Sequence, residues 1–207
     1  MPKLTPARKA ALDLAVRDTI YDAVVRILSE DGNHGLTMNR VAATAGLAKG
    51  SLYNYFRDKR RLLHFVYERA YEPIRTRLDE TARRNGTASE KLEAIARMYF
   101  EYVDTHRKLF DFLLNDAAVR GNLKNEQDSL RAHAIVELTA IIEKGVETGE
   151  FRPTKPEHVA ELLLGAVRQM AERQLASGRR EPVNESVDML CQVFLNGLAT
   201  GESRRCE

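Results

Sequence analysis

A single glycine, Gly46, stands between two short helical runs, Met38 to Ala45 and Lys49 to Phe56. This arrangement constrains the fold more than any other feature of the chain. Val41, Ala42, Ala45, Leu47, Leu52 and Phe56 are apolar where they would seal the two helices against each other and against a helix before them. Ala42 is small enough for a close crossing, and Gly46 gives the backbone the freedom that a tight turn needs. Thr37 suits the N-cap of the first helix. The stretch therefore reads as a helix-turn-helix.

The rest of the chain also reads as helices separated by short breaks. A first helix runs from about Ala7 to Glu30, with Ile20, Val24, Ile27 and Leu28 at helical spacing. Asp31-Gly32-Asn33-His34-Gly35 stops it. A long amphipathic helix starts near Lys59 and runs towards Arg84, with Pro73 inside it predicting a kink or an interruption. Later helices span roughly Ala88 to Asp104, Arg107 to Asn115, Asn125 to Thr148, Pro156 to Ser177 and Val183 to Thr200. The loop Asn85-Gly86-Thr87, Gly121, Gly149 with Pro153, and Gly178 punctuate them, and the last seven residues read as frayed. No stretch alternates with the period of a strand. The expectation is an all-α protein of about nine helices. A three-helix domain at 1–58 is followed by a larger helical domain at 59–207, with a continuous helix joining them.

Composition narrows the function classes. The longest apolar runs are short, such as Leu162 to Leu164, against the roughly 18 residues of a membrane span. Met1-Pro2-Lys3-Leu4-Thr5-Pro6 leads into a charged amphipathic stretch rather than a signal segment. The chain reads as cytosolic, with no membrane partner. Cys191 sits in an apolar stripe and is expected to be a small buried hydrophobe; Cys206, in the polar tail, is expected to be a free thiol. His34, His64, His106, His133 and His158 show no metal-ligand spacing with one another or with cysteine, so no metal site is expected. Phosphate-loop, dinucleotide, zinc-protease and serine-hydrolase motifs are missing, so neither a cofactor nor an enzyme is expected.

The net charge of +2 conceals an asymmetry. Residues 1–61 hold 11 Lys and Arg against 6 Asp and Glu, whereas residues 62–207 hold 21 against 24. A basic first module on a mildly acidic body points to a polyanion that meets the first part only. The outer face of the second short helix fits that partner. It offers Lys49, Ser51, Tyr53, Asn54 and Tyr55, with Lys59 just beyond. Cations and hydroxyls suit phosphates, and amides suit base edges.

Residues 17–66 resemble the DNA-binding domain of TetR-family transcriptional regulators. The matching residues are Thr37, Val41, Ala42, Ala45-Gly46-Leu47, Lys49-Gly50-Ser51-Leu52-Tyr53, Tyr55-Phe56, Lys59 and Leu62-Leu63. The resemblance implies that Thr37 binds a phosphate while capping its helix, and that Tyr53, Tyr55 and Lys59 clamp the DNA backbone. It places Asn39, Arg40, Lys49, Gly50, Ser51 and Asn54 where such proteins approach bases. Lys49 and Arg40 could read guanine, and Asn39 or Asn54 adenine. For Asn39 and Arg40, a solvated helix face is the alternative.

One helix-turn-helix covers a half-site, so a homodimer on a palindromic or pseudo-palindromic operator is expected. The last two helices carry broad apolar stripes. One shows Val159, Leu162, Leu163, Ala166, Val167 and Met170, and the other Val183, Val187, Leu190, Cys191, Phe194 and Leu198. An ordinary core would explain them, and the resemblance implies a dimer interface built from them. It also implies a dimeric repressor released by a small-molecule effector held in the middle helices. Candidate linings are Met98, Tyr99, Tyr102, His106, Phe110, Leu114 and His133, with the aromatic stripe open to a core reading as well. Arg168 and Gln174 would face a polar ligand group, a salt bridge or solvent. Effector binding would move the helix after Lys59, with Pro73 a candidate pivot.

Overall fold

In the computed structural model, residues 5–32, 35–178 and 180–198 are described. His34, Cys206, the last seven residues and the end of the last helix at Thr200 lie outside them. In chain order the helices are α1 (Pro6–Asp31), α2 (Met38–Thr44), α3 (Lys49–Tyr55), α4 (Lys59–Arg83), α5 (Ala88–Thr105), α6 (Arg107–Asn115), α7 (Ala117–Asn122), α8 (Lys124–Glu147), α9 (Pro156–Ser177) and α10 (Val183–Leu190). A π-helical turn, Cys191–Leu195, and the short helix Asn196–Leu198 continue α10. Among the described residues no helix is long and apolar enough to cross a membrane. The chain divides into two compact units. One holds the residues through Ala70 together with Lys108–Lys124, and the other holds Tyr71–Arg107 and the residues from Asn125 onwards.

In the first unit, α1 begins on Thr5, whose hydroxyl accepts from the Arg8 N–H at 3.4 Å, with Pro6 in the first turn. Its second half buries Ile20, Ala23, Val24, Ile27 and Leu28. Leu36, Val41, Ala42, Leu52, Phe56, Leu62, Leu63 and Val66 add to the buried apolar set of this unit. Full burial of each large aliphatic is worth about 1.5–3 kcal/mol. The Phe56 and Phe65 rings lie 5.0 Å apart, and Arg69 donates to Asp18 at 3.0 Å, fastening α4 to α1.

Of the kink or interruption expected at Pro73, the interruption is absent: helix α4 runs through the proline. A proline costs about 3 kcal/mol inside a helix, and the burial of Ala70, Tyr71 and Ile74 around it opposes that cost. Gly121, whose residue type predicts a break, lies inside the short helix α7. The Asp116 side chain caps α7 by accepting from the Val119 N–H at 3.0 Å.

In the second unit, α5 starts with a reciprocal capping box between Thr87 and Glu90. Its first turn is further held by the Glu150 carboxylate, which accepts from the Ala88 and Ser89 N–H groups at 2.8 and 2.7 Å. At Gly145 on α8, a Cβ would stand 2.4 Å from the Phe151 ring and 2.8 Å from the Ala88 Cβ. Only glycine permits that approach. The core of this unit includes Leu92, Phe100, Leu138, Ile142, Leu163, Val167, Val187 and Leu190. Cys191 is half-buried rather than buried, because it opens the π-helical turn and not a regular helical stripe.

Candidate nucleic-acid interface

The helix-turn-helix is fixed by backbone chemistry at both of its joints. The Thr37 hydroxyl accepts from the Arg40 N–H at 3.2 Å, capping α2 as its residue type suggests. At the other end of α2, the Gly46 N–H donates to Ala43 at 3.1 Å and the Leu47 N–H to Ala42 at 2.9 Å. These two bonds form a Schellman motif, and Gly46 supports it with a φ of 67°. The chain then enters α3 through Ala48, which offers no side-chain cap.

Leu52 is the buried residue of α3. Lys49, Gly50, Tyr53 and Asn54 are exposed, and Ser51 is half-buried. A Cβ built on Gly50 meets nothing of the protein within 4 Å. Thr37 and Asn39 are exposed as well. This brings one side of α3 and the start of α2 out to solvent as a polar and cationic surface.

Three residues predicted to touch DNA have partners within the protein. Lys59 donates from Nζ to the Leu36 carbonyl at 2.8 Å, which holds the start of α4 beside the α2 cap. The Arg40 guanidinium is ion-paired with Asp31. Tyr55, expected to face outward like Tyr53, is half-buried, with the Arg17 guanidinium 5.7 Å from its ring centre. Arg17 also lies 5.4 Å from the Phe56 ring centre and 5.8 Å from that of Phe65. An open cleft of about 410 Å³ lies here, with Arg17, Arg57, Arg61 and His64 as its basic wall. None of these arginines is among the DNA contacts expected from the sequence. For Arg57 and Arg61 the available signal is the run Arg57, Lys59, Arg60 and Arg61 directly after α3, whereas Arg17 lies on α1 and carries no such signal.

The residues expected around an effector are dispersed. Helix α5 ends at Thr105 with His106 as its C-cap, and Phe110 lies in α6, so the aromatic residues do not form one helix face. Phe110 is fully buried and belongs to the first unit. His106 stacks on Tyr102 with ring centres 4.3 Å apart, and its Nδ1 lies 2.9 Å from the Tyr102 carbonyl oxygen. His133 Nε2 is 2.8 Å from an Asp79 carboxylate oxygen. Gln174 donates to Ser186 at 2.7 Å and to Glu181 at 3.1 Å, so it braces the fold.

Tyr99 and Arg168 remain as a polar group within the second unit. Burial pushes the Tyr99 phenol up to about 12, although part of the residue stays exposed, so it is a neutral donor at physiological pH. Desolvation works against the Arg168 charge, but the Glu172 hydrogen bond at 2.7 Å and its charge more than offset that and raise its pKa. Tyr71 and Tyr99 also act on Arg168 electrostatically.

Fold and surface together define a helix-turn-helix DNA-binding protein. The profile described as "Bacterial regulatory proteins, tetR family" matches residues 20–66. The profile described as "Tetracyclin repressor-like, C-terminal domain" matches residues 85–198. The chain belongs to the TetR family of bacterial transcriptional regulators and is a sequence-specific DNA-binding regulator, not an enzyme. The fatty acid metabolism regulator protein of Bacillus subtilis (strain 168) is 26% identical over 137 residues, covering 64% of this chain and 69% of that protein. The transcriptional repressor KstR of Mycolicibacterium smegmatis is 37% identical over 76 residues, 37% of each chain. The solved structure of the regulator FadR from Bacillus subtilis with stearoyl-CoA shares the fold at a TM-score of 0.74 and 19% identity, over 87% of this chain and 98% of that one. The complex of SmeT with triclosan does so at a TM-score of 0.77 and 21% identity, over 91% and 93%.

Proposed function

We propose that the protein is a homodimeric repressor that reads each operator half-site with α3 and releases it on binding a long-chain acyl-CoA. The observation that carries the DNA-reading part is the surface of α3, where Lys49, Gly50, Tyr53 and Asn54 are exposed and an added Cβ at Gly50 would meet open space. In this reading Lys49, Ser51, Asn54 and Asn39 approach bases, and Gly50 lets the helix backbone come close. Thr37, Tyr53, Tyr55 and Lys59 hold phosphates. The Thr37 oxygen accepts its cap bond and its O–H can still donate to a phosphate. Arg40 supports the site from its pair with Asp31 and offers further guanidinium donors to DNA. The functional division falls near Lys59, with the DNA-reading domain at 1–58 and the effector-binding and dimerisation domain at 59–207.

Dimerisation through α9 and α10 is supported by apolar residues left in solvent. Leu162 on α9 is 65% exposed, Met189 on α10 is 55% and Val193 in the π-helical turn is 64%. A two-fold dimer then spaces two copies of α3 about one turn of DNA apart. The acyl-CoA class rests on the fatty acid regulators among the similar proteins and on the stearoyl-CoA bound to one of them. The polar group of Tyr99, Arg168 and Glu172 suits the thioester end of such a ligand. Movement would pass along α4, a single helix from Lys59 to Arg83.

The test is operator binding by fluorescence anisotropy with and without stearoyl-CoA, with triclosan as comparison. Stearoyl-CoA should weaken binding about 5–150-fold, the range of a typical coupling. Unchanged affinity at saturating ligand rules out this effector class.

A further inference from the structure

A cluster on α4 and α8 includes His133, expected from the sequence as an effector lining, and the proposed function uses none of its residues. Asp79 lies on α4, and His133 and Glu137 lie one turn apart on α8. All three belong to the second unit. Each offers one ligand atom, and these atoms lie within 4.8 Å of one another. All three side chains are half-buried. The sequence hid this set because Asp79 is 54 residues from His133.

The Asp79–His133 hydrogen bond at 2.8 Å explains only two of the three groups. Glu137 adds a second carboxylate beside the first, and like charges held this close in partly dry surroundings repel. Arg83 offers partial relief at 3.8 Å from the other Asp79 oxygen, but its side chain is 74% exposed. A cation placed among the three ligand atoms would relieve the repulsion directly.

We propose that Asp79, His133 and Glu137 bind one divalent transition-metal ion. One imidazole nitrogen and two carboxylate oxygens form a donor set suited to Zn²⁺ or Co²⁺ rather than to Mg²⁺ or Ca²⁺, which take oxygen. Three protein ligands leave a position for water, as in open zinc sites. Bonds of about 2.0–2.1 Å place tetrahedral ligand atoms roughly 3.4 Å apart, so small side-chain rotations complete the site. The ion would fasten α4 to α8 independently of the effector, so this site does not depend on which ligand the regulator senses.

The test uses the full chain, stripped of metal by a chelator and dialysed. Zn²⁺ is titrated by calorimetry, and Co²⁺ is followed by its visible absorption. One saturable site per chain is expected. His133→Ala should weaken binding by more than the roughly 10–100-fold that an outer partner of a metal ligand is worth. Glu137→Gln and Asp79→Asn keep side-chain shape and should also weaken it, with circular dichroism confirming that each variant is folded. Cys206→Ser and His158→Ala should leave binding unchanged. Absence of saturable binding in the full chain overturns the site. So does equal affinity in folded His133→Ala and Glu137→Gln.

Discussion

The Lys59 ammonium lies 2.8 Å from the Leu36 carbonyl oxygen, joining the first residue of α4 to the residue before the α2 cap. Its charge is therefore fixed beside the capped N-terminus of α2, where a DNA phosphate is proposed to sit. The carbonyl takes one of the three ammonium donors, and two remain for a phosphate.

Lys59→Ala should act on both DNA binding and stability. The affinity for every DNA sequence should fall, and the slope of log affinity against log salt should flatten by about 0.9. Loss of the charged hydrogen bond should also cost about 1.5–3 kcal/mol in chemical denaturation. An unchanged salt slope would reduce Lys59 to a structural residue.

Gly50→Ala separates folding from recognition. Nothing in the protein lies within 4 Å of the new Cβ, and glycine is a poor helix residue. Stability should rise by roughly 0.5–1 kcal/mol. Operator affinity should fall, because the added methyl group stands between the helix and the groove. Denaturation and anisotropy on the same sample give the two signs.

Glu150 sets a pH dependence for the second unit. Partial desolvation raises its pKa, but the hydrogen bonds from Ser89 and Ala88 prevail and hold it below the ordinary value of 4.5. A carboxylate lowered in the folded state contributes stability above its unfolded pKa and loses it as pH falls through the folded one. The advantage of the wild type over Glu150→Gln should therefore be constant from neutral pH to about 4.5 and shrink below it. Melting temperatures across that range measure it.

Leu162→Glu and Val193→Glu place charges on side chains that are 65% and 64% exposed. The fold of the single chain should tolerate both. Sedimentation should show a dimer for the wild type and monomers for both variants, and operator affinity should drop with the lost second half-site.

The first four helices were legible because their punctuation is local: Thr37 caps, Gly46 turns, and Ile20, Val24 and Ile27 repeat along one face. At Pro73 the interruption did not follow, since the local penalty is opposed by burial of neighbours whose packing partners the sequence does not name. Gly121 punctuates no break, because Asp116 caps a helix that runs through it. In the site, the exposed face of α3 followed from its spacing. The pairing of Arg40 with Asp31, of Lys59 with Leu36 and of Arg17 with three aromatic rings did not, because each joins residues from different helices or loops. The helix end at Thr105 was legible to within one residue, and it already separates Tyr99 and Tyr102 from Phe110; the helical spacing of the four aromatic residues runs across that end and so does not make one face.

Whether α3 reads DNA sequence is tested most directly by selecting binding sites from random double-stranded DNA, with wild type and Asn54→Ala in parallel. The wild type should return an inverted repeat with half-sites about one helical turn apart. The Asn54→Ala selection should relax at one symmetric position, at a cost of about 1–3 kcal/mol there and little elsewhere. Recovery of no preferred sequence, or an equal loss by Asn54→Ala on every DNA, would contradict a reading role for α3.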